Sequence, residues 1–76
     1  MSARAYVLVE TTVGRAKEVT KIIGELSGVK SVDQVTGPYD IIAVIDAISL
    51  NEIGDLVTSK IHPIPGISRT VTCLAI

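Results

Sequence analysis

Cysteine and histidine each occur once, as Cys73 and His62, in a chain of 76 residues. One thiol excludes an internal disulfide, and one His with one Cys makes no zinc-type metal site. Aromatic residues make up 3% of the chain, so no strand carries the aromatic platform on which RNA-binding sheets stack bases. An excess of positive charge is missing as well. The net charge is −1, with Lys and Arg scattered singly, whereas nucleic-acid binding draws most of its affinity from clustered cationic contacts to phosphates. Neither a helix-turn-helix nor a zinc-finger spacing is present. No run approaches the roughly 20 apolar residues of a bilayer span, and the start "MSARAYVLVE" alternates like a strand instead of forming a signal-peptide core. The expectation is a cytoplasmic protein with no membrane and no direct nucleic-acid partner, and a lone thiol fits a reducing compartment.

What is present is aliphatic. Hydrophobic residues make up 47% of the chain, at the upper end for soluble domains. A chain this short forms one domain and buries only roughly 60% of its unfolded surface, so a monomer is marginal. Small domains add disulfides, metals or oligomerisation. With the first two excluded, oligomerisation is expected.

"RAYVLVETT" (Arg4 to Thr12) is rich in β-branched residues and reads as a first strand, with Gly14 as a break after it. From Arg15, apolar Ala16, Val19, Ile22, Ile23 and Leu26 fall at helical spacing, while Lys17, Glu18, Lys21 and Glu25 read as the solvated face. Ser27-Gly28 stops the helix. "VKSVDQVTG" is a second, partly exposed strand ending at the turn Gly37-Pro38. The third strand, "DIIAVIDA", has five consecutive apolar residues, Ile41 to Ile45, so both of its faces must be covered. Ser49 and Glu52 form a capping box for a second helix, with Ile48 and Ile53 as its hydrophobic staple. Ile53, Leu56, Val57 and Ile61 form its buried stripe, and "HPIPG" ends it. "ISRTVTCLAI" is a fourth strand.

The order βαββαβ predicts a ferredoxin-like α+β fold over residues 1–76, a four-stranded antiparallel sheet with both helices on one face. The other sheet face has no cover of its own. Val7, Ile42, Val44 and Val71 are expected there, and a second copy packing sheet to sheet is expected to cover them.

Three stretches carry a resemblance: "VGRAKEV" at the first helix, "LSGVKSVDQVTGPYDIIAVI" through the middle, and "IPGISRTVTCLAI" at the end. In them the chain resembles the RAM domain, the effector-binding and assembly domain of the Lrp/AsnC, or feast/famine, transcription regulators. The resemblance covers nearly the whole chain, and the Gly-x-Tyr-Asp turn between a valine-rich and an apolar strand is its most specific part. Pro38 departs from it, because the family usually carries a polar or acidic residue there. The sequence has no stretch matching the family's DNA-binding domain, so the resemblance is to a stand-alone RAM protein. It implies a homodimer assembling into a ring of dimers, a free amino acid bound between subunits, and an influence on full-length Lrp/AsnC-type regulators.

A free amino acid presents an ammonium and a carboxylate, and its site needs an anion, donors and an adjustable wall. Asp40 is the candidate partner for the ammonium, and Gly37 permits close backbone approach. Thr70 and Thr72 lie two apart on one strand and point to one face, where their hydroxyls donate or accept. Tyr39 offers a flat wall with a polar tip. By resemblance, effector contacts cluster at Gly37, Tyr39, Asp40, Thr70 and Thr72. Each has a plainer role beside it: Gly37-Pro38 as a turn, Asp40 as the cap of that turn, Tyr39 as an interface anchor, the threonines as strand formers. His62 is expected to favour a helix dipole, and Cys73 to be a small buried thiol.

No catalytic residue, metal ligand or cofactor is expected. An enzyme of the small dimeric α+β-barrel kind is the rival reading, and it needs His, Asn, Trp or several carboxylates under a sheet that here is mostly aliphatic. A structural interaction module is the other.

Overall fold

The computed structural model describes residues 2–76. Strand β1, Ala3–Thr11, alternates so that Ala5, Val7 and Val9 are fully buried while Tyr6 and Leu8 turn the other way. Helix α1, Ala16–Gly24, buries Val19 and Ile23, one turn apart. Gly28, at φ +96°, turns the chain into β2, Val29–Gln34. Strand β3, Ile41–Ala47, buries Ile41, Ala43 and Ile45, with Ile42 and Val44 half-buried on the opposite face.

Ser49 caps α2, Leu50–Leu56, its Oγ accepting from the Glu52 backbone N–H at 3.2 Å. The Glu52 carboxylate accepts in return from the Ile48 backbone N–H at 2.9 Å, so two otherwise free donors are satisfied. The expected staple is absent, since Ile48 is 77% exposed. Beyond Leu56 the helix widens into a π turn, Val57–Ile61, closed by the His62 N–H donating to the Val57 carbonyl at 2.9 Å. Ile53, Val57 and Ile61 recur every fourth residue, and all three are buried. Strand β4, Ile67–Leu74, closes the chain.

The four strands pair antiparallel in the order β2-β3-β1-β4. Both helices lie on one face, where Val7, Val19, Ile23, Ile41, Ile45 and Ile61 join a single core. The opposite face carries Tyr6 and Leu8 of β1 beside Val44 and Ile42 of β3, and beside Cys73 and Val71 of β4. Two expectations are corrected here. Val7 pairs with Ala43 and Thr72 on the helix side and is fully buried, so it belongs to the core and not to the uncovered face. Cys73 is exposed on the uncovered face, because the alternation of an edge strand places it opposite Tyr6, away from both helices. Among the described residues, no helix is long and apolar enough to cross a membrane.

Candidate functional site

The turn between β2 and β3 is closed by the Val35 N–H donating to the Asp40 carbonyl at 2.8 Å. Gly37 within it has φ +126°, a conformation that L side chains rarely adopt, and the space where a side chain would stand is open. Asp40 is tied to β1 twice over. Its N–H donates to the Val9 carbonyl at 2.9 Å, and its Oδ2 accepts from the Thr11 backbone N–H at 2.8 Å and from Thr11 Oγ1 at 3.2 Å. The pairing of β1 with β3 ends at Val9 and Ile41, so the Thr11 N–H has no ladder partner on that side, and the carboxylate supplies the acceptor. Asp40 is therefore a cap for the strand end as well as a candidate anion, and both side-chain bonds fall on one of its oxygens.

Tyr39 leans across to β4 and meets Arg69, a residue that the sequence analysis did not single out. Arg69 Nη2 donates to the Tyr39 hydroxyl at 3.0 Å, and the guanidinium carbon stands 5.3 Å from the ring centroid. This is a cation–π geometry with a hydrogen bond added. Arg69 sits opposite Glu10 and so lies on the uncovered face. The pair spans 30 positions of sequence, and only the antiparallel register of β1 with β4 brings Arg69 to that end of the sheet.

Thr70 and Thr72 do share a face, the helix side, opposite Val9 and Val7. Thr70 Oγ1 lies 2.9 Å from His62 Nε2. Thr72 lines a groove of about 280 Å³ with Leu50, Ile53, Val57, Thr58 and Leu74, between α2 with its π turn and the strand. The five sequence candidates thus divide. Gly37, Tyr39 and Asp40 sit together at the end of β3, whereas β1 stands between them and Thr70. At about 4.8 Å between neighbouring strands, that separation is about 10 Å. Tyr39 faces one side of the sheet through Arg69, and the threonines the other.

At the far end of the sheet Arg4 grips Asp46 directly across β1 and β3, Nε to Oδ1 at 2.7 Å and Nη2 to Oδ2 at 3.2 Å. Lys30 Nζ adds a contact at 3.7 Å. The hydrogen bond from Arg4 holds the Asp46 carboxyl below the usual carboxylate range, and the same bond raises the guanidinium further above neutrality. A cleft of about 860 Å³ opens beside this pair, lined by Ser27, Asp46, Glu52, Asp55 and Leu56 among others. None of the five candidates lines it. Its size does not make it the site, because Asp46 is held by Arg4 and Glu52 by the helix cap.

A four-stranded antiparallel sheet in the order β2-β3-β1-β4 with both helices on one face is a ferredoxin-like fold. The family model for the Lrp/AsnC ligand binding domain matches residues 4–76, and the chain belongs to that family. It is 36% identical over 59 residues to the uncharacterized HTH-type transcriptional regulator PF0250 of Pyrococcus furiosus, covering 78% of this chain and 39% of that protein. The chain thus spans about four tenths of the length of the regulators it matches. A match of 33% over 58 residues to homocitrate synthase of Sulfurisphaera tokodaii covers 12% of that enzyme. Among solved structures, TTHA0845 from Thermus thermophilus superposes with a TM-score of 0.93 at 36% identity, covering 97% of this chain and 92% of that one. FFRP-DM1 gives 0.92 at 31%, covering 97% and 99%. The regulator NMB0573 of Neisseria meningitidis, solved as a complex with L-Met, shares the fold alone, with a TM-score of 0.86 at 16% identity over 97% of this chain and 49% of that one.

Proposed function

We propose that the chain is a non-enzymatic amino-acid sensor that works by assembly. It binds a free amino acid, forms a homodimer through its sheets and larger rings of dimers, and modulates Lrp/AsnC-type transcription regulators. The observation that carries this reading is the family match over residues 4–76. The division of the candidates supports a site completed between subunits. Gly37, Tyr39 and Asp40 of one copy and Thr70 and Thr72 of another meet where single-chain geometry keeps them about two strand spacings, about 10 Å, apart. Asp40 keeps one carboxylate oxygen for an ammonium while the other holds Thr11.

The enzyme reading draws no support from side-chain placement. His62 stands on the helix side against Thr70, and Cys73 on the uncovered face, so the sheet separates the two residue types suited to nucleophilic work. The homocitrate synthase match is confined to 12% of that enzyme's length and supports a shared domain, not a shared reaction. A purely structural role has one observation in its favour, the use of Asp40 as a strand cap.

Native mass spectrometry with and without a panel of free amino acids tests the proposal. The expected result is an even subunit number with one amino acid retained per site. A monomer that retains none would overturn it.

A further inference from the structure

The groove between α2 and β4 has two features that the assembly reading does not use. Leu50, Ile53, Val57 and Leu74 give it apolar walls, Thr58 and Thr72 add two hydroxyls, and among the described residues no charged one lines it. Its floor includes Gly54, in the middle of α2. A glycine there costs helix stability relative to alanine, and neither the backbone nor the packing of this chain requires it. Its φ is not positive, and a Cβ built on it meets nothing within 4 Å. A side chain at this position would stand in open space beside the groove.

The groove also has a direction. The helix and β4 run past each other so that Leu50 and Leu74 flank one end, Thr58 and Thr72 the middle, and the bonded pair His62 and Thr70 stands beyond. That last pair lies toward the end of the sheet where Arg69 meets Tyr39. A small molecule with a polar head and an aliphatic tail matches this order, and about 280 Å³ is near the lower end of ligand cavities, roughly 300–1,000 Å³.

Resting on the amino-acid reading above, we infer that this groove selects the ligand: it takes the side chain of an aliphatic or thioether amino acid, with Thr58, Thr72 and Gly54 as specificity residues. His62 is a positioning residue. When its Nε2 donates to Thr70 Oγ1, the Thr70 hydrogen is left to donate to the ligand carboxylate. A charged side chain is rejected, because no group in the groove compensates its desolvation.

Calorimetry of the assembled protein against leucine, methionine, lysine and aspartate tests the inference, using wild type, Gly54→Ala, Gly54→Leu and Thr72→Val. Leucine or methionine is expected to bind and the charged pair not to. Gly54→Leu places a side chain at the groove and is expected to lower that affinity at least about tenfold, as excluding a few methylene groups does, with the subunit number unchanged and the melting temperature no lower than that of wild type. Gly54→Ala is expected to bind and to melt higher. Binding of lysine or aspartate, or an unchanged affinity in both Gly54→Leu and Thr72→Val, would overturn the groove while leaving the sensor standing. So would a Gly54→Leu that loses its assembly but keeps its affinity, which marks the groove as a contact between copies. No binding of any amino acid by wild type would overturn both.

Discussion

Asp40 illustrates how one side chain holds the fold and is offered to a ligand. Asp40→Ala removes the acceptor of the half-buried Thr11 N–H, which water can partly replace, and is expected to cost about 0.5–1.5 kcal/mol, the net worth of a typical hydrogen bond, read as a lower urea midpoint. Asp40→Asn retains an oxygen for Thr11 but loses the charge. It is expected to unfold near the wild-type midpoint while its calorimetric affinity for the amino acid falls. The ion pair at the other end answers to pH. The Asp46 pKa is depressed in the folded chain, so its contribution is complete above the unfolded value of about 3.9 and is lost as pH falls through the lower folded value. Both side chains are more than a third exposed, and solvent screening keeps the effect small. Acid titration of Arg4→Met is expected to show a slightly higher midpoint pH of unfolding than wild type. At this scale the sequence shows which residues carry chemistry, but not their partners. Thr11 for Asp40, Arg69 for Tyr39 and His62 for Thr70 are joined by register and turn geometry, which no local pattern encodes.

Elements are more legible than pairs. The alternation of β1, the three-and-four spacing of α1 and the S-x-x-E signature at Ser49 each reflect one backbone period or one cap, and each appears within a residue or two of its expected bounds. Ser49→Ala removes the acceptor for Glu52 and is expected to cost about 1 kcal/mol, measurable by thermal melting. The π turn has no counterpart among the sequence expectations, because the apolar spacing of Ile53, Val57 and Ile61 fits an ordinary helical face equally well. The staple fails for a reason outside the helix: Ile48 follows the sheet residue Ala47 and points into solvent beside the larger cleft. Thr70 and Thr72 share a common face, as their spacing predicts, but which face depends on the pairing with Val9 and Val7.

For the molecule as a whole, the two faces of one sheet give opposite responses to the same substitution. Val7→Lys buries a charge in the core and is expected to abolish folding, seen as loss of circular dichroism. Ile42→Lys and Val44→Lys leave the helix-side core intact, since both residues are half-buried in the single chain. They are expected to yield folded chains of smaller subunit number by sedimentation, whereas a folded wild-type monomer at micromolar concentration would overturn the dimer. The uncovered face is legible from five consecutive apolar residues in β3, because only a second layer makes such a run reasonable. The position of Cys73 on that face turns a protein without introduced labels into its own gauge of assembly. Its thiol is exposed in the single chain and would be shut in by a second sheet. The rate at which a thiol-reactive dye consumes it therefore becomes a clock for how often the copies part. That clock should slow as protein concentration rises and run at a constant fast rate in Ile42→Lys.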